Sequence, residues 1–316
     1  MRRVVVVGAG VSGLTTALAL AEAGCAVRVV ARERWPQTTS AVAGGLWYPF
    51  LAEPRERVLA WCRGTLEWLY TLVQVPGAGV VVRDAHELYR EPVALPWWGE
   101  AVRRLRRLRP DELPGGAVDG FLFETCVVCA PVHLAWLEGR LAALGVPIEL
   151  REVRSWPDLR ADGEVIVNCS GLGARSLAAD RALVPVRGQV VRAHNPGLLT
   201  CFADDQHPDG LTYAICRQDD IILGGSAEVG EEDLTVDEGL SAQILARTAG
   251  LDPRLRGLEL LDVRVGLRPV RAEVRVERDQ DGIVHNYGHG GSGFTLAWGC
   301  AREVVGLVEG SADGGA

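Results

Sequence analysis

The sequence predicts an α/β fold in two interleaved parts. One part is built on a parallel, Rossmann-like sheet; the other is an α+β unit built on an antiparallel sheet. Three observations carry this. An apolar strand at residues 4–7 runs directly into the turn GAGVSG (8–13) and then into a helical repeat. A second strand–glycine–helix unit closes the chain, with IVHNY at 283–287, GHGGSG at 288–293 and an apolar helix over 294–308. Between them, the stretches 186–193, 211–216 and 219–226 read as antiparallel strands.

Length and composition set the outer bounds. At about 150 residues per domain, a 316-residue chain holds roughly two domains. Hydrophobic residues at 48% and charged residues at 23% match a soluble globular protein and exclude bulk disorder. A net charge of −8 argues against a general nucleic-acid-binding role. No run approaches the roughly 20 apolar residues of a membrane helix. All 33 basic residues are arginine and Met1 is the sole methionine, a bias that GC-rich coding explains. The eight cysteines are scattered and read as small buried hydrophobes in a reducing compartment. Cys126 and Cys129 form a lone CxxC; on a strand their spacing would turn the thiols to opposite faces, and nothing nearby completes a metal site, so no metal is expected.

The first 35 residues could be mistaken for a signal peptide, but Gly8, Gly10 and Gly13 interrupt the apolar stretch and Glu22 comes after it. They read better as a dinucleotide cradle. The fully apolar run 4–7 suits a strand buried on both faces. Gly8 permits the tight turn, Gly10 lets the backbone approach a pyrophosphate, and Gly13 lets the helix pack against the strand. The helix is marked by Leu14, Ala17, Leu18 and Ala21 and ends near Gly24; its N-terminus offers N–H groups and partial positive charge to phosphates. A second strand over 26–30 leads to Glu33, placed for a ribose hydroxyl. Arg32 beside it is compatible with a 2′-phosphate or with an adenine contact.

The next segment departs from a nicotinamide dehydrogenase. In place of another βα unit comes TTSAVAGGLWYPF (38–50), a small-residue loop suited to close contact with a large flat ligand. Residues 57–73 and 131–144 read as amphipathic helices, with Pro131 in a first turn. Residues 80–82, 121–128 and 165–168 read as strands, and 102–109, with five arginines, as a solvated basic face. The tail 311–316 reads as frayed. The glycine loop at 288–293 is a second anion-binding device, and a reduced flavin needs one where charge develops at its N1–C2=O edge.

These segments together resemble the FAD-dependent D-amino acid oxidases along nearly the whole chain. The resemblance rests on GAGVSGL (8–14), AGGLWYP (43–49), VIVNCSG (165–171), GLRPVR (266–271) and HNYGHGGSG (285–293). It implies FAD as cofactor, with contacts from Gly8, Ala9, Gly10, Ser12, Gly13, Arg32, Glu33, Thr39, Ser40, Gly44, Gly45, Leu46, Val153, Ser170, Gly290, Gly291, Ser292, Gly293, Phe294 and Thr295. It implies that Arg268 holds the substrate carboxylate, that Tyr213 adds a hydrogen bond, and that the Gly291 carbonyl receives the amine. No side chain is then required as acid or base, and His289 is expected to be structural. The implied reaction is oxidative deamination of neutral D-amino acids to 2-oxo acids, ammonia and hydrogen peroxide, by hydride transfer to flavin N5. The chain departs from the family's eukaryotic members at Asp209, Ser292 and Phe50, where a tyrosine is absent.

The expected domains are 1–54, 132–182 and 273–316 for FAD, and 55–131 and 183–272 for substrate. Expected partners are a D-amino acid and molecular oxygen, with no nucleic acid or membrane; a homodimer is compatible, and the chain end suits a cytoplasmic protein. D-aspartate oxidase, a glycine or sarcosine oxidase-like amine oxidase, and a non-enzymatic flavin sensor are the competing readings. Ala227 stands where D-aspartate oxidases carry an arginine, Asp209 is expected to repel an acidic side chain, and Arg217 is expected to face solvent.

Overall fold

The structure, a computed structural model, describes residues 1–50, 52–159 and 164–310; the tail 311–316 lies outside the described residues. The strands are β1 (Arg3–Val7), β2 (Ala26–Ala31), β3 (Val80–Tyr89), β4 (Arg103–Arg107), β5 (Asp119–Val128), β6 (Ile148–Leu150), β7 (Glu164–Asn168), β8 (Val184–His194), β9 (Thr200–Asp204), β10 (Thr212–Cys216), β11 (Asp220–Gly224), β12 (Glu228–Val229), β13 (Leu260–Arg278) and β14 (Val284–His289). The helices are α1 (Val11–Glu22), α2 (Thr39–Val42), α3 (Arg55–Leu72), α4 (Ala130–Ala143), α5 (Ala174–Leu177), α6 (Glu238–Thr248) and α7 (Gly293–Glu309).

Both expected sheets are present, and they are hydrogen-bonded into one. Its order is β4-β5-β3-β9-β10-β11-β8-β13-β14-β7-β1-β2-β6, with β12 beside β8. The parallel half is β14-β7-β1-β2-β6. The antiparallel half centres on β13, β8, β11, β10 and β9. The 19-residue β13 joins them: its first part pairs with β8 up to Val270, which also pairs with His289 of β14, and after a register shift its last part pairs with β14 from Arg275. The expected boundary at 272/273 therefore falls inside one strand, and that at 131/132 inside α4.

The valine run of β1 is buried on both faces. Val4 and Val6 belong to the main core with Leu14, Leu18 and Leu134, while Val5 and Val7 pack with Val30, Ile166 and Ile283. This is the period-two alternation of a strand covered on both sides. Helices α1, α3 and α7 form one cover, and α3 and α7 touch closely at Gly299, where a Cβ would stand 2.2 Å from the Trp61 carbonyl oxygen.

The five arginines at 102–109 lie on and beside an edge strand, β4. They are paired as well as solvated: Arg104 with Glu124 at 3.0 Å, Arg106 with Glu112 at 2.7 Å, and Arg103 over the Tyr70 ring. Charge on an exposed edge discourages pairing with another chain. Cys126 sits within β5, but Cys129 stands past its end, at the start of α4, so the strand alternation does not span the pair. All eight cysteines carry free thiols.

Candidate functional site

One cavity of about 930 Å³ runs from the N-terminal glycine turn to the junction of β10, β11 and β13. At one end α1 begins on the cavity wall, and Gly8, Ala9, Gly10 and Ser12 line it. The turn is made of glycine for reasons of space. Gly8 has φ +115°, and a Cβ there would stand 2.4 Å from the Cys169 carbonyl oxygen. A Cβ at Gly13 would lie 1.9 Å from the Gly8 carbonyl oxygen, so Gly13 packs helix against strand and stands behind the lining. Val11 N–H donates to Ser40 Oγ at 3.0 Å, which ties α2 to the start of α1. Ser12 Oγ donates to the Asn286 carbonyl at 3.0 Å.

Arg32 and Glu33, paired with each other at 3.0 Å, reach the same wall, as do Val153 and Ser170. Ser170 is held by a buried chain. Its hydroxyl donates to Asn168 Oδ1 at 2.6 Å, Asn168 Nδ2 meets His285 Nδ1 at 3.2 Å, and His285 Nε2 meets Asp279 at 2.9 Å. Thr39, Ser40, Gly44, Gly45 and Leu46 form the adjoining wall. Gly45 has φ +85° and its Cβ would stand 2.0 Å from the Val128 carbonyl oxygen, so only glycine fits there.

The second glycine turn brings Gly290, Gly291, Gly293 and Phe294 to the cavity at the start of α7. Ser292 and Thr295 lie behind it. Ser292 Oγ donates to the Phe50 carbonyl at 2.7 Å, and Thr295 Oγ1 donates to the Tyr48 carbonyl at 3.0 Å, so both anchor the segment that faces the loop. His289 is buried at the edge of the cavity, with Nε2 at 3.0 Å from Asn286 Oδ1, and burial pushes its pKa down to about 4. A neutral ring in that position matches a structural role.

At the far end, β13 carries Arg268 and β10 carries Tyr213, side by side on the wall. Arg268 Nη1 donates to the Ser226 carbonyl at 2.8 Å. Burial raises the Tyr213 pKa, and the neighbouring guanidinium opposes that rise. Both side chains occupy space left by glycines. A Cβ at Gly188 would stand 2.3 Å from Arg268 Nη1, and one at Gly224 would stand 2.0 Å from the Tyr213 ring. Motif reasoning gives these glycines no role; Gly188 inside a strand and the pair at 224–225 are the signal of close approach. A Cβ at Gly291 would meet the Phe50 ring at 2.8 Å and Arg268 Cδ at 3.8 Å, so loop, ring and guanidinium converge.

A side pocket opens here between Tyr48, Phe50, Asp205, Leu211 and Ala227. Ala227 is thus where a side-chain cation would stand if there were one. Two expectations are corrected. Arg217 does not face solvent: it is 1% exposed, and it donates to the carbonyls of Ala43 at 2.5 Å and Gly44 at 3.1 Å, bracing the loop from behind. The orphan carbonyls of that tight loop give it a buried place. Asp209 is solvent-exposed and absent from the cavity lining; the carboxylate on the wall at this end of the cavity is Asp205. Among the described residues no cluster of three or more potential metal ligands occurs, and no helix is long and apolar enough to cross a membrane.

The cavity fits FAD on its own geometry. It is elongated, it begins at one helix N-terminus and reaches another, and at both the wall is glycine backbone that a Cβ would fill. Comparison with known proteins agrees. A family model described as FAD dependent oxidoreductase matches residues 3–307. The chain is 48% identical to a D-amino-acid oxidase of Rubrobacter xylanophilus over 97% of this chain and 95% of that one. It is 42% identical to a D-amino-acid oxidase of Streptomyces coelicolor, covering 96% of each. A crystal structure of glycine oxidase from Bacillus cereus superposes with a TM-score of 0.82 at 19% identity, over 99% of this chain and 96% of that one, which speaks for the fold. The chain therefore belongs to the FAD-dependent oxidoreductases of the D-amino acid oxidase family.

Proposed function

We propose that the protein is an oxidase of D-amino acids with neutral side chains, and that Arg268 and Tyr213 hold the substrate. One molecule each of amino acid, oxygen and water would give a 2-oxo acid, ammonia and hydrogen peroxide. The observation that carries the reading is the placement of a guanidinium and a phenol in the same cavity as the two glycine cradles. Bound FAD supplies a two-electron acceptor that oxygen can reoxidise. The protein's contribution is orientation. Arg268 would take the carboxylate in a two-pronged ion pair, and the Tyr213 hydroxyl would add a hydrogen bond. The Gly291 carbonyl would accept from the amine, which must be neutral to release its electrons. Three fixed contacts at the α-carbon direct its hydrogen one way for the D enantiomer and the other way for the L enantiomer. No acid or base is required of any side chain, in keeping with a neutral, buried His289.

The remaining cofactor contacts proposed here are Gly8, Ala9, Gly10, Ser12, Arg32, Glu33, Val153 and Ser170 for the nucleotide half. Thr39, Ser40, Gly44, Gly45, Leu46 and the 290–294 turn would serve the ring half, with Gly13, Ser292 and Thr295 acting from behind. The two-part division of the chain stands as a proposal joined through β13. The proposed compartment is the cytoplasm, which the free thiols support, and a homodimer is the assembly to be checked by light scattering. The test of the reading is product formation: peroxide and a 2-oxo acid from D-valine and D-methionine, little from L-valine, and a lower kcat/KM for D-aspartate. Equal turnover of the L enantiomers would contradict the placement of the anchors. Preference for D-aspartate would make the D-aspartate oxidase reading the leading one.

A further inference from the structure

Arg217 is a buried cation with two bonds to one loop of the cofactor end. It is the first residue past β10. Its Nη2 donates to the Ala43 carbonyl at 2.5 Å and its Nε to the Gly44 carbonyl at 3.1 Å. The next carbonyl, that of Gly45, accepts from the Val128 N–H at 2.8 Å. Three consecutive carbonyls of the loop are thus satisfied by the protein. The N–H groups of the same three peptides belong to Gly44, Gly45 and Leu46. They find no acceptor among the described residues, and all three residues line the cavity.

Peptide planarity explains the pattern. In a trans peptide the N–H points opposite to the C=O. A guanidinium that holds two carbonyls therefore turns two N–H groups away from itself. It also draws electron density toward the two oxygens, which makes those N–H groups better donors. N–H groups fixed beforehand in an enclosed site are the arrangement that stabilises charge developing on a ligand. The positive charge is not cancelled on the spot. Nη1, the one guanidinium nitrogen not bonded to the loop, meets Asp220 Oδ2 at 3.3 Å, but that carboxylate is shared with Arg192 at 3.7 Å.

We propose that Arg217 is a positioning residue for the flavin: it aims and polarises the Gly44 and Gly45 N–H groups at the ring, and so favours the reduced cofactor over the oxidised one. Two electrons and one proton turn a neutral ring into an anion, and the anion gains more from these donors. The proposal rests on the placement of the ring half of FAD against residues 44–46 given above; the choice of substrate does not enter. It adds to the turn at 290–293 a second source of positive potential, on a different element.

The test is equilibration of the FAD-loaded protein with a reference redox dye at pH 7, without substrate or oxygen. In Arg217→Gln the ratio of reduced to oxidised flavin at a fixed dye potential should fall roughly tenfold, which is about 30 mV for a two-electron couple. That is less than the roughly hundredfold that losing a donor itself can cost. Arg217→Lys should recover part of it. Asp220→Asn, which relieves the guanidinium of its counter-charge, should move the ratio the other way by roughly threefold. A brace that is only structural would weaken both forms of the cofactor alike and leave the ratio where it was. An unchanged ratio in Arg217→Gln therefore overturns the proposal. Should that variant not retain FAD, an unchanged or falling ratio in Asp220→Asn overturns it alone. Amide hydrogen exchange of the natural protein keeps the two readings apart. If FAD does not protect the amides of 44–46, the ring placement itself is wrong; if it protects them and the ratio does not move, only the role of Arg217 is wrong.

Discussion

The two ends of the cavity are built from different materials. The cofactor end is backbone. Its walls are the turns at residues 8–13, 44–45 and 290–293, and its side chains mostly brace those turns from behind. The substrate end is side chain. Arg268, Tyr213, Tyr48 and Asp205 arrive from four separate segments, and glycines there serve to make room for them. Backbone recognition binds whatever carries a pyrophosphate and a flat ring. Side-chain recognition decides which small molecule meets it. The two ends should therefore fail differently.

The largest effect is expected at the cofactor end. In Gly13→Ala the added methyl would lie 1.9 Å from the Gly8 carbonyl oxygen, and backbone cannot swing aside. The expected cost is roughly 3 kcal/mol or more, and the purified protein should be colourless and unfold at lower temperature. At the substrate end, Arg268→Ala should keep its flavin absorbance and lose roughly 30-fold to several thousandfold in kcat/KM, from the about 2–5 kcal/mol of a broken buried charge contact. Arg268→Lys should also be poor, since an ammonium cannot make the two-pronged pair. Gly188→Ala sharpens the distinction. Its methyl would meet the end of the Arg268 side chain at 2.3 Å, and that end can move. The fold and flavin should survive while kcat/KM falls roughly tenfold to a hundredfold through misplacement of the anchor.

The ends also titrate in opposite directions. Burial lowers the His289 pKa from 6.5 to about 4. The folded protein keeps that ring neutral while the unfolded chain takes up a proton below 6.5, so its contribution is complete above that pH and is lost as pH falls toward 4. At the substrate end, burial raises Glu87, which accepts from the Tyr48 hydroxyl at 2.6 Å, from 4.5 to about 7. The folded protein holds that proton while the unfolded chain releases it, so its contribution is present at low pH and is lost as pH rises from 4.5 through 7. Each pKa unit is worth about 1.4 kcal/mol. Urea unfolding should thus show Glu87→Gln gaining on the natural protein by about 1–3 kcal/mol between pH 5 and pH 8. His289→Gln should instead flatten the loss below pH 6. The smallest effect is Tyr213→Phe, where one hydrogen bond of about 0.5–1.5 kcal/mol predicts at most a roughly tenfold fall in kcat/KM.

The same contrast explains which parts are legible in the sequence. The cofactor end is contiguous: strand, GAGVSG, helix and acid stand in chain order, and each glycine has a local reason. The strand over 165–168 is legible from its short apolar run, and that over 283–287 from its place directly before the second glycine turn. The substrate end is assembled by pairing of distant strands. Arg268 and Tyr213 are reached through family resemblance, because an arginine before a proline and a strand tyrosine carry no local signature. Asp205 escapes, since nothing near it in sequence announces that β9 ends beside Tyr48. Arg217 misleads for the same reason: it comes after a strand as a solvent-facing residue would, and only the fold brings the Ala43 and Gly44 carbonyls over it. The length of β13 is hidden by its Gly266, Pro269 and many arginines, none of which favours a strand.

The central claim is that the substrate end acts through Arg268 on a carboxylate while the cofactor end works independently of it. Anaerobic bleaching of the flavin by D-valine tests this most directly, in the natural protein and in Arg268→Ala matched for flavin content. The account predicts rapid bleaching of the natural protein by D-valine and not by L-valine. In Arg268→Ala it predicts an intact yellow spectrum whose bleaching needs at least roughly thirtyfold more D-valine for the same rate. Bleaching of Arg268→Ala at the natural concentration dependence would contradict it, and would place the carboxylate on another residue.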